Sequence, residues 1–318
     1  MKIYGPVPSW RLGNSLGIDL VEAPKGKNKI CSFDCVYCQL GNKVEKTKKL
    51  SSEDVTEEDI GELDKRIKAT NPDYITFSGE GEPTLNINLG YAARKIKEIT
   101  DKPIAVLTNA SLISDAKVRE GLESCGLVIA KIDAPYQESF EKINRPYKGI
   151  FLKDIAEGIK KIKTGVAIQT LLFSSKDITN SDNDSVEGLI SIYNDINNVK
   201  PIKVFLGTAY RPGDNGISPL AKEELKNIAA RITGETGIEA IYYQESKPRR
   251  VSGNLSEAEI GKEMINLLKR RPCTKEDISS RFGYKKAPAI LSSLEAKGLI
   301  TSRKMNSKIF YILRGDKK

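Results

Sequence analysis

The chain has 318 residues, 39% of them hydrophobic, with five cysteines, no histidine and a formal net charge of +9. That length exceeds one average domain and suffices for a sizeable core, so two domains are expected. No run approaches the roughly 18 apolar residues of a membrane span, and the opening Met1-Lys2-Ile3-Tyr4-Gly5-Pro6 lacks a signal-peptide core, so membrane residence is excluded and a cytoplasmic protein expected.

In chain order, short β-branched runs alternate with amphipathic stretches, a rhythm that implies parallel strands joined by helices. Strands are predicted near Ile18 to Val21, Tyr74 to Phe77, Ile104 to Leu107, Leu127 to Ile132, Val166 to Leu172 and Ile202 to Leu206. Helices fall between them: Ser52-Glu53-Asp54 opens one running to Lys68, with others at Leu89 to Ile99, Asp115 to Ser124, Ile150 to Ile162, Ser185 to Ile196 and Leu220 to Ile232. Residues 244–254 have the Pro, Gly, Ser and charge content of a linker. Beyond it, helices are predicted from Ser256 to Arg270, from a capping box at Thr274-Lys275-Glu276-Asp277 to Arg281, and from Ala287 to Lys297. Two strands follow, Leu299 to Arg303 and Ile309 to Leu313.

Chemistry concentrates in Cys31-Ser-Phe-Asp-Cys35-Val-Tyr-Cys38. The C-x3-C-x2-C spacing suits three thiolates around one face of a cubane 4Fe-4S cluster, leaving the fourth iron free of protein ligands. An open iron of that kind can chelate the amino and carboxylate groups of S-adenosylmethionine and pass one electron to its sulfonium. Structural zinc would need a fourth ligand from distant Cys125 or Cys273, since there is no imidazole to recruit. Cys125, at a helix end, reads as a buried small hydrophobe. About forty residues on, Ser78-Gly79-Glu80-Gly81-Glu82-Pro83-Thr84 follows the apolar run Tyr74-Ile75-Thr76-Phe77. Glycines there let carbonyls and a carboxylate approach a cationic ligand closely.

The cysteine spacing with Tyr37 before its last cysteine, and the Gly79 to Pro83 turn, resemble the radical S-adenosylmethionine superfamily. The resemblance implies a partial (βα)6 barrel, a 4Fe-4S cluster on Cys31, Cys35 and Cys38, S-adenosylmethionine as cosubstrate, and an external one-electron donor. It also implies that Tyr37 lies near the adenine and that Gly79, Glu80, Gly81, Glu82 and Pro83 receive the methionine amino group. Barrel enzymes collect reactive residues where strands end. Thr108 and Asn109 end the third strand, Asp133 the fourth and Gly207-Thr208 the sixth, and Gln169 lies on the fifth. Of these, Thr108, Asn109, Asp133 and Gln169 are the cofactor-binding candidates, although a polar strand end can equally cap a helix or close a turn.

A wider pattern, Gly5-Pro6-Val7-Pro8-Ser9, Arg11-Leu12-Gly13, Ser15 to Leu20, Cys38 to Gly41, Asn144-Arg145-Pro146 and Arg211-Pro212, is similar to the radical proteins grouped with the wyosine-base synthases of tRNA. Those synthases use a second cysteine set upstream, whereas residues 1–30 contain none, and Trp10 stands where relatives carry arginine. The resemblance therefore carries the radical step and not the tricycle chemistry. Arg11, Arg145 and Arg211 have the planar fork that holds carboxylate or phosphate, and serve equally as structural clamps.

The organisation expected is a barrel over residues 1–243, a linker over 244–254 and a basic domain over 255–318. Three helices and a hairpin are the element order of a winged helix-turn-helix. Residues 260–318 hold fifteen Lys and Arg against five Asp and Glu, so all the excess positive charge lies there. Arg281, Lys285 and Lys286 before the third helix, with Arg303, Lys304 and Lys308 on the wing, are the candidate nucleic-acid contacts. That helix has few side chains suited to base edges, which favours backbone contact; a protein-docking wing is the alternative. Three functions fit: radical modification of a nucleic acid, most plausibly a tRNA base; radical modification of a protein, peptide or small metabolite with the wing as docking arm; or an iron-sulfur redox regulator that binds DNA. Catalytic acids or bases are unassigned, and the oligomeric state is not legible.

Overall fold

The computed structural model describes residues 1–199, 202–212, 216–244, 256–283, 285–305 and 307–314. Apart from Gln244, the predicted linker lies outside them. The chain opens with β1 (Lys2–Ser9) and β2 (Gly13–Asp19), an antiparallel pair, followed by β3 (Lys29–Cys31) and β4 (Val44–Lys46), a short parallel ribbon. Then come α1 (Glu57–Thr70), β5 (Tyr74–Phe77), α2 (Leu89–Ile99), β6 (Ile104–Thr108), α3 (Ala116–Glu123), β7 (Leu127–Lys131), α4 (Gln137–Asn144), α5 (Leu152–Lys160), β8 (Gly165–Ser174), α6 (Asn183–Asn197) and β9 (Lys203–Thr208). The short β10 (Ser218–Pro219), α7 (Lys222–Thr236) and β11 (Ala240–Tyr242) complete this part.

The main sheet has the order β1-β2-β5-β6-β7-β8-β9-β11, with every neighbour from β2 to β11 parallel and β10 paired to β8. Helical crossovers explain the parallel pairing, and the sheet curls into an open half-barrel. Five of the six predicted strands lie within about two residues of their expected bounds; the first, expected near Ile18 to Val21, is β2 at Gly13–Asp19 and shares only Ile18 and Asp19 with it, and β1, β10 and β11 are additional. Alternation along the strands separates two apolar faces. Val106, Val128, Ile168 and Val204 join the large core under the helices. Ala105, Ile129, Ala167 and Phe205, each one residue out of step, form a smaller cluster with Leu12 on the other face.

Helix starts follow capping chemistry. Helix α1 begins at Glu57, not at Ser52 as predicted, because Thr56 and Asp59 form a reciprocal capping box while Ser51 is tied to Leu85 and Ile87 by backbone bonds. Helix α4 was not predicted: eight residues with Phe140 and Ile143 buried are too short for a clear periodic signal.

The C-terminal part contains α8 (Glu257–Arg270), β12 (Cys273–Thr274), α9 (Lys275–Phe282), α10 (Ala287–Ala296), β13 (Ile300–Met305) and β14 (Lys308–Leu313). Its strands form a separate sheet, β12-β14-β13, over a second core that includes Met264, Leu267, Cys273, Ile278 and Leu291. The Thr274 capping box forms as the sequence predicts, and Ser256, predicted only as a helix start, forms a second one with Glu259. Among the described residues, no helix is long and apolar enough to cross a membrane.

Candidate active site at the strand ends

The carboxyl ends of β2, β5, β6 and β7 deliver Asp19, the Ser78 to Pro83 turn, Thr108 with Asn109, and Asp133 to one end of the half-barrel. The cysteine loop crosses this end, held from two sides. On one side Ile30 N–H donates to Glu80 O at 3.0 Å, and Glu82 N–H donates to Ile30 O at 3.1 Å. On the other, Asp34 N–H donates to Asn144 O at 3.0 Å and Val36 N–H to Ile143 O at 2.9 Å, so the last carbonyls of α4 are satisfied by the loop. Phe33 packs edge-on against Phe140 with ring centroids 5.3 Å apart.

Cys31, Cys35 and Cys38 are free of disulfides, and hydrogen-bond donors surround two of the sulfurs. Phe33 N–H and Asn109 Nδ2 each lie 3.4 Å from Cys31 Sγ, and Asn144 Nδ2 lies 3.4 Å from Cys35 Sγ. Burial, then Glu82 and the neighbouring thiolates, push the Cys31 thiol well up. Burial, Asp133 and Cys38 push Cys35 to about 11. Three thiolates so placed need positive charge among them, and N–H···S bonds are what cluster sulfurs accept, so the donor set fits a 4Fe-4S cluster on Cys31, Cys35 and Cys38. Lys29 contributes to the same balance. It is 1% exposed, and its Nζ lies 2.9 Å from Asp34 Oδ1. Burial disfavours its charge, but Cys38, Asp34 and Cys35 override that and raise its pKa.

The turn is built to leave no room for side chains. A Cβ on Gly79, which has φ +155°, would overlap the Asp19 carboxylate, and one on Gly81 would overlap Ile30 O. The Glu82 carboxylate is buried and fully engaged, accepting from Thr84 N–H (3.1 Å), Thr84 Oγ1 (2.7 Å), Thr108 Oγ1 (2.6 Å) and Asn109 N–H (2.7 Å). Thr108 and Asn109 therefore brace the turn. Glu80 differs: its Oε1 is buried and accepts no hydrogen bond among the described residues, with Arg270 Nη2 3.6 Å away. A buried carboxylate oxygen that has a long ion pair to Arg270 but no hydrogen bond, in a glycine-lined turn, fits a cationic ligand such as the S-adenosylmethionine ammonium.

Asp133, 1% exposed, joins Tyr37 directly: the tyrosine hydroxyl donates to Asp133 Oδ2. Asn144 Nδ2 donates to the same oxygen at 2.8 Å, and Leu171 N–H to Oδ1 at 2.8 Å. Lys131 Nζ lies 3.4 Å from Oδ1 and 4.8 Å from the Tyr37 ring centroid. Burial, then Asp133 and Cys35, hold the Tyr37 phenol well above its ordinary value. Gln169 is half-buried on β8, opposite Lys131 and Phe205, outside this network.

Sequence reasoning missed Asn144, Lys29 and Asp19 as site residues. Asn144 and Asp19 stood inside quoted motifs, but nothing local shows what their side chains reach; a lysine two positions before a cysteine ligand was the available signal for Lys29. It also missed Arg270, which extends from α8 into the turn, donating to Asp19 Oδ2 at 3.1 Å and lying 4.4 Å from the Tyr4 ring centroid.

The six candidate nucleic-acid residues divide. Lys285, Lys286, Arg303, Lys304 and Lys308 are exposed. Arg281 is 5% exposed, and its guanidinium donates to Pro6 O, to Gly5 O at 2.5 Å and to Glu263 Oε2 at 3.4 Å. Its reading as a phosphate contact is corrected: the fork is used up on β1 carbonyls and cannot face a strand. Arg211 is likewise structural, reaching Pro272 O and Asp277 Oδ2 (2.8 Å).

Residues 28–170 match the Radical SAM superfamily. A UPF0026 protein of Synechocystis sp. is 36% identical over 264 residues, covering 74% of this chain and 94% of its own length. A UPF0026 protein of Methanocaldococcus jannaschii is 31% identical over 325 residues, covering 97% and 95%. A protein named GTPase Obg from Brachyspira hyodysenteriae is 33% identical over 317 residues, and the chain spans 45% of that relative's length. Two solved structures share the fold: TYW1 with a lysine-pyruvate adduct (TM-score 0.52, 18% identity, 71% of this chain and 76% of that one) and Streptococcus suis SuiB bound to precursor peptide SuiA (0.51, 12%, 75% and 49%).

Proposed function

Because the chain belongs to the UPF0026 family and is a radical S-adenosylmethionine enzyme, we propose that it modifies a nucleic acid, most plausibly a tRNA base, gripped along its backbone by a basic winged-helix unit at the carboxyl end. A 4Fe-4S cluster and S-adenosylmethionine, when bound, supply a carbon radical by one-electron cleavage of the sulfonium. The chain's own residues set the conditions for that step. Cys31, Cys35 and Cys38 would hold the cluster, with Asn109 and Asn144 donating to the Cys31 and Cys35 sulfurs and Lys29 offsetting the thiolate charge. The Gly79 to Glu82 turn receives the cationic end of the cosubstrate, with Glu80 Oε1 as its acceptor. Asp133 holds Tyr37, the residue that the superfamily resemblance sets beside the adenine. Hydrogen-atom abstraction requires no protein acid or base; the barrel's part is to orient the substrate and exclude water.

The observation that carries the nucleic-acid reading is the placement of charge. Residues 260–318 hold the whole excess of Lys and Arg, and five of the cations singled out by sequence stand exposed. The resemblance of residues 5 to 215 to the wyosine-base group supports the same reading, and the element order of the C-terminal unit supports the winged helix. The test is binding of bulk tRNA to the full chain across a salt series, followed by deoxyadenosine release from anaerobically reconstituted protein with and without that tRNA. Expected are a steep loss of affinity with salt and stimulation of deoxyadenosine release. Absence of binding at low salt would overturn the reading and favour a protein or peptide substrate.

A further inference from the structure

The C-terminal unit is riveted to the barrel rather than merely tethered to it. Arg270 joins Asp19 and Glu80, Arg281 joins the Gly5 and Pro6 carbonyls, and Arg66 joins Glu263 at 3.1 Å and Gly5 O at 2.9 Å. Arg211 joins Asp277. These contacts fix β13 at the strand-end face, where Arg303, Lys304 and Met305 line a cavity of about 100 Å³ together with Tyr37, Ala209, Arg211, Gly216 and Ile217.

The lining has a definite chemistry. Among the described residues that line it, three are cations, Arg211, Arg303 and Lys304, with Arg211 paired to Asp277. Ala209, Ile217 and Met305 supply an apolar surface, and Tyr37 connects the cavity to the Asp133 network beside Cys35. The volume has room for a single small group and none for a helix. Outside the cavity the positive charge continues: Lys308 stands opposite Met305 in the β13–β14 register and is exposed. A lone carboxylate would use only the cations inside, whereas a polyanion uses the whole row.

We propose that this cavity, walled jointly by β13 and the barrel mouth, anchors the substrate, and that it takes one backbone phosphate of an RNA strand, held by Arg303 and Lys304, with the unpaired nucleotide it belongs to presented at the barrel mouth. The proposal rests on the nucleic-acid reading above and adds to it the place where the strand enters. Recognition of a single unpaired nucleotide is the mode by which proteins reach a base for chemistry, since paired bases are inaccessible.

The experiment is fluorescence anisotropy of a labelled single-stranded oligoribonucleotide with the full chain over a salt series. Three variants are compared: Arg303→Ala/Lys304→Ala, Met305→Trp and Lys285→Ala/Lys286→Ala. Losing the phosphate held by both cations on a single strand should lower the log–log salt slope by about 0.7 and weaken binding on the order of tenfold at moderate salt. Met305→Trp, which fills the cavity without changing charge, should weaken binding and leave the slope intact. If Lys285→Ala/Lys286→Ala carries the loss while the other two variants bind within about twofold of wild type, the cavity assignment is overturned and the nucleic-acid reading stands. Failure of wild type to bind RNA at low salt overturns both. Equally tight binding of a polyglutamate peptide, lost in Arg303→Ala/Lys304→Ala, would replace RNA by an acidic protein as the ligand.

Discussion

At the scale of single residues, the site depends on a few buried acceptors whose donors come from distant parts of the chain. Asp133 receives Tyr37, Asn144 and Leu171 from three separate elements, so Asp133→Ala leaves the Tyr37 hydroxyl and the Leu171 N–H without their acceptor, while Asn144 Nδ2 keeps Tyr37 Oη and Cys35 Sγ. That loss should lower the unfolding free energy of the cluster-free protein by about 3–5 kcal/mol in urea titrations. Tyr37→Phe removes one donor from an oxygen that keeps Asn144, and should cost about 1 kcal/mol. Equal losses in the two variants would show that Asp133 is not the hub. Asp19 makes a pH-dependent contribution: burial raises its pKa from 3.8 to about 6, with Arg270 acting in the opposite direction. A carboxyl whose folded pKa lies above its unfolded value binds more protons when folded, so stability falls as pH rises through that window. A rise of that size corresponds to about 3 kcal/mol. Relative to Asp19→Asn, wild type should therefore lose about that much stability between pH 4 and pH 7, and parallel pH profiles would refute the assignment.

At the scale of elements, the cysteine loop and the glycine turn behave as one unit, because Ile30 exchanges backbone hydrogen bonds with both Glu80 and Glu82. Gly81→Ala drives a methyl group into Ile30 O, one residue before Cys31. Reconstituted iron and sulfide content should fall severalfold, with about 1–3 kcal/mol of destabilisation. Gly61→Ala, in open space on α1, is the contrasting case and should stabilise by up to about 1 kcal/mol. Full cluster occupancy in Gly81→Ala would mean the turn does not position the loop. The parts of this unit that repeat a local pattern were legible in the sequence: the cysteine spacing, the turn, the strand Tyr74–Phe77 and helix Leu89–Ile99 all lie where periodicity and punctuation put them. The bracing was not legible. Thr108 and Asn109 were expected at a ligand; the structure shows that they hold Glu82, which the sequence could not tell, because a strand-end hydroxyl or amide looks the same whichever acceptor it meets. Asn144 escaped notice because α4, which aims it, is too short to announce itself.

At the scale of the whole molecule, the least legible feature is the junction between the barrel and the C-terminal unit. Charge counting treats every arginine alike, whereas the structure separates Arg281, spent on the carbonyls of residues some 275 positions earlier, from Arg303, standing at the cavity rim. No sequence pattern encodes a guanidinium whose acceptors are backbone atoms of a remote strand. The two roles predict opposite signatures for Arg281→Ala. A phosphate contact would lower the salt slope of single-stranded RNA binding by about 0.7 and leave the protein's stability unchanged. A rivet leaves two buried carbonyls with fewer donors, so stability should fall by about 3 kcal/mol and amide exchange in α8 and α9 should quicken. RNA affinity would then fall with the salt slope unchanged, because β13 is no longer held against the barrel mouth. Arg281→Lys should recover only part of this, since an ammonium cannot span both carbonyls with a planar fork. A lowered slope with native exchange rates would return Arg281 to the nucleic-acid surface; an unchanged slope with accelerated exchange establishes that the C-terminal unit acts on the substrate by where it is held as much as by the charge it carries.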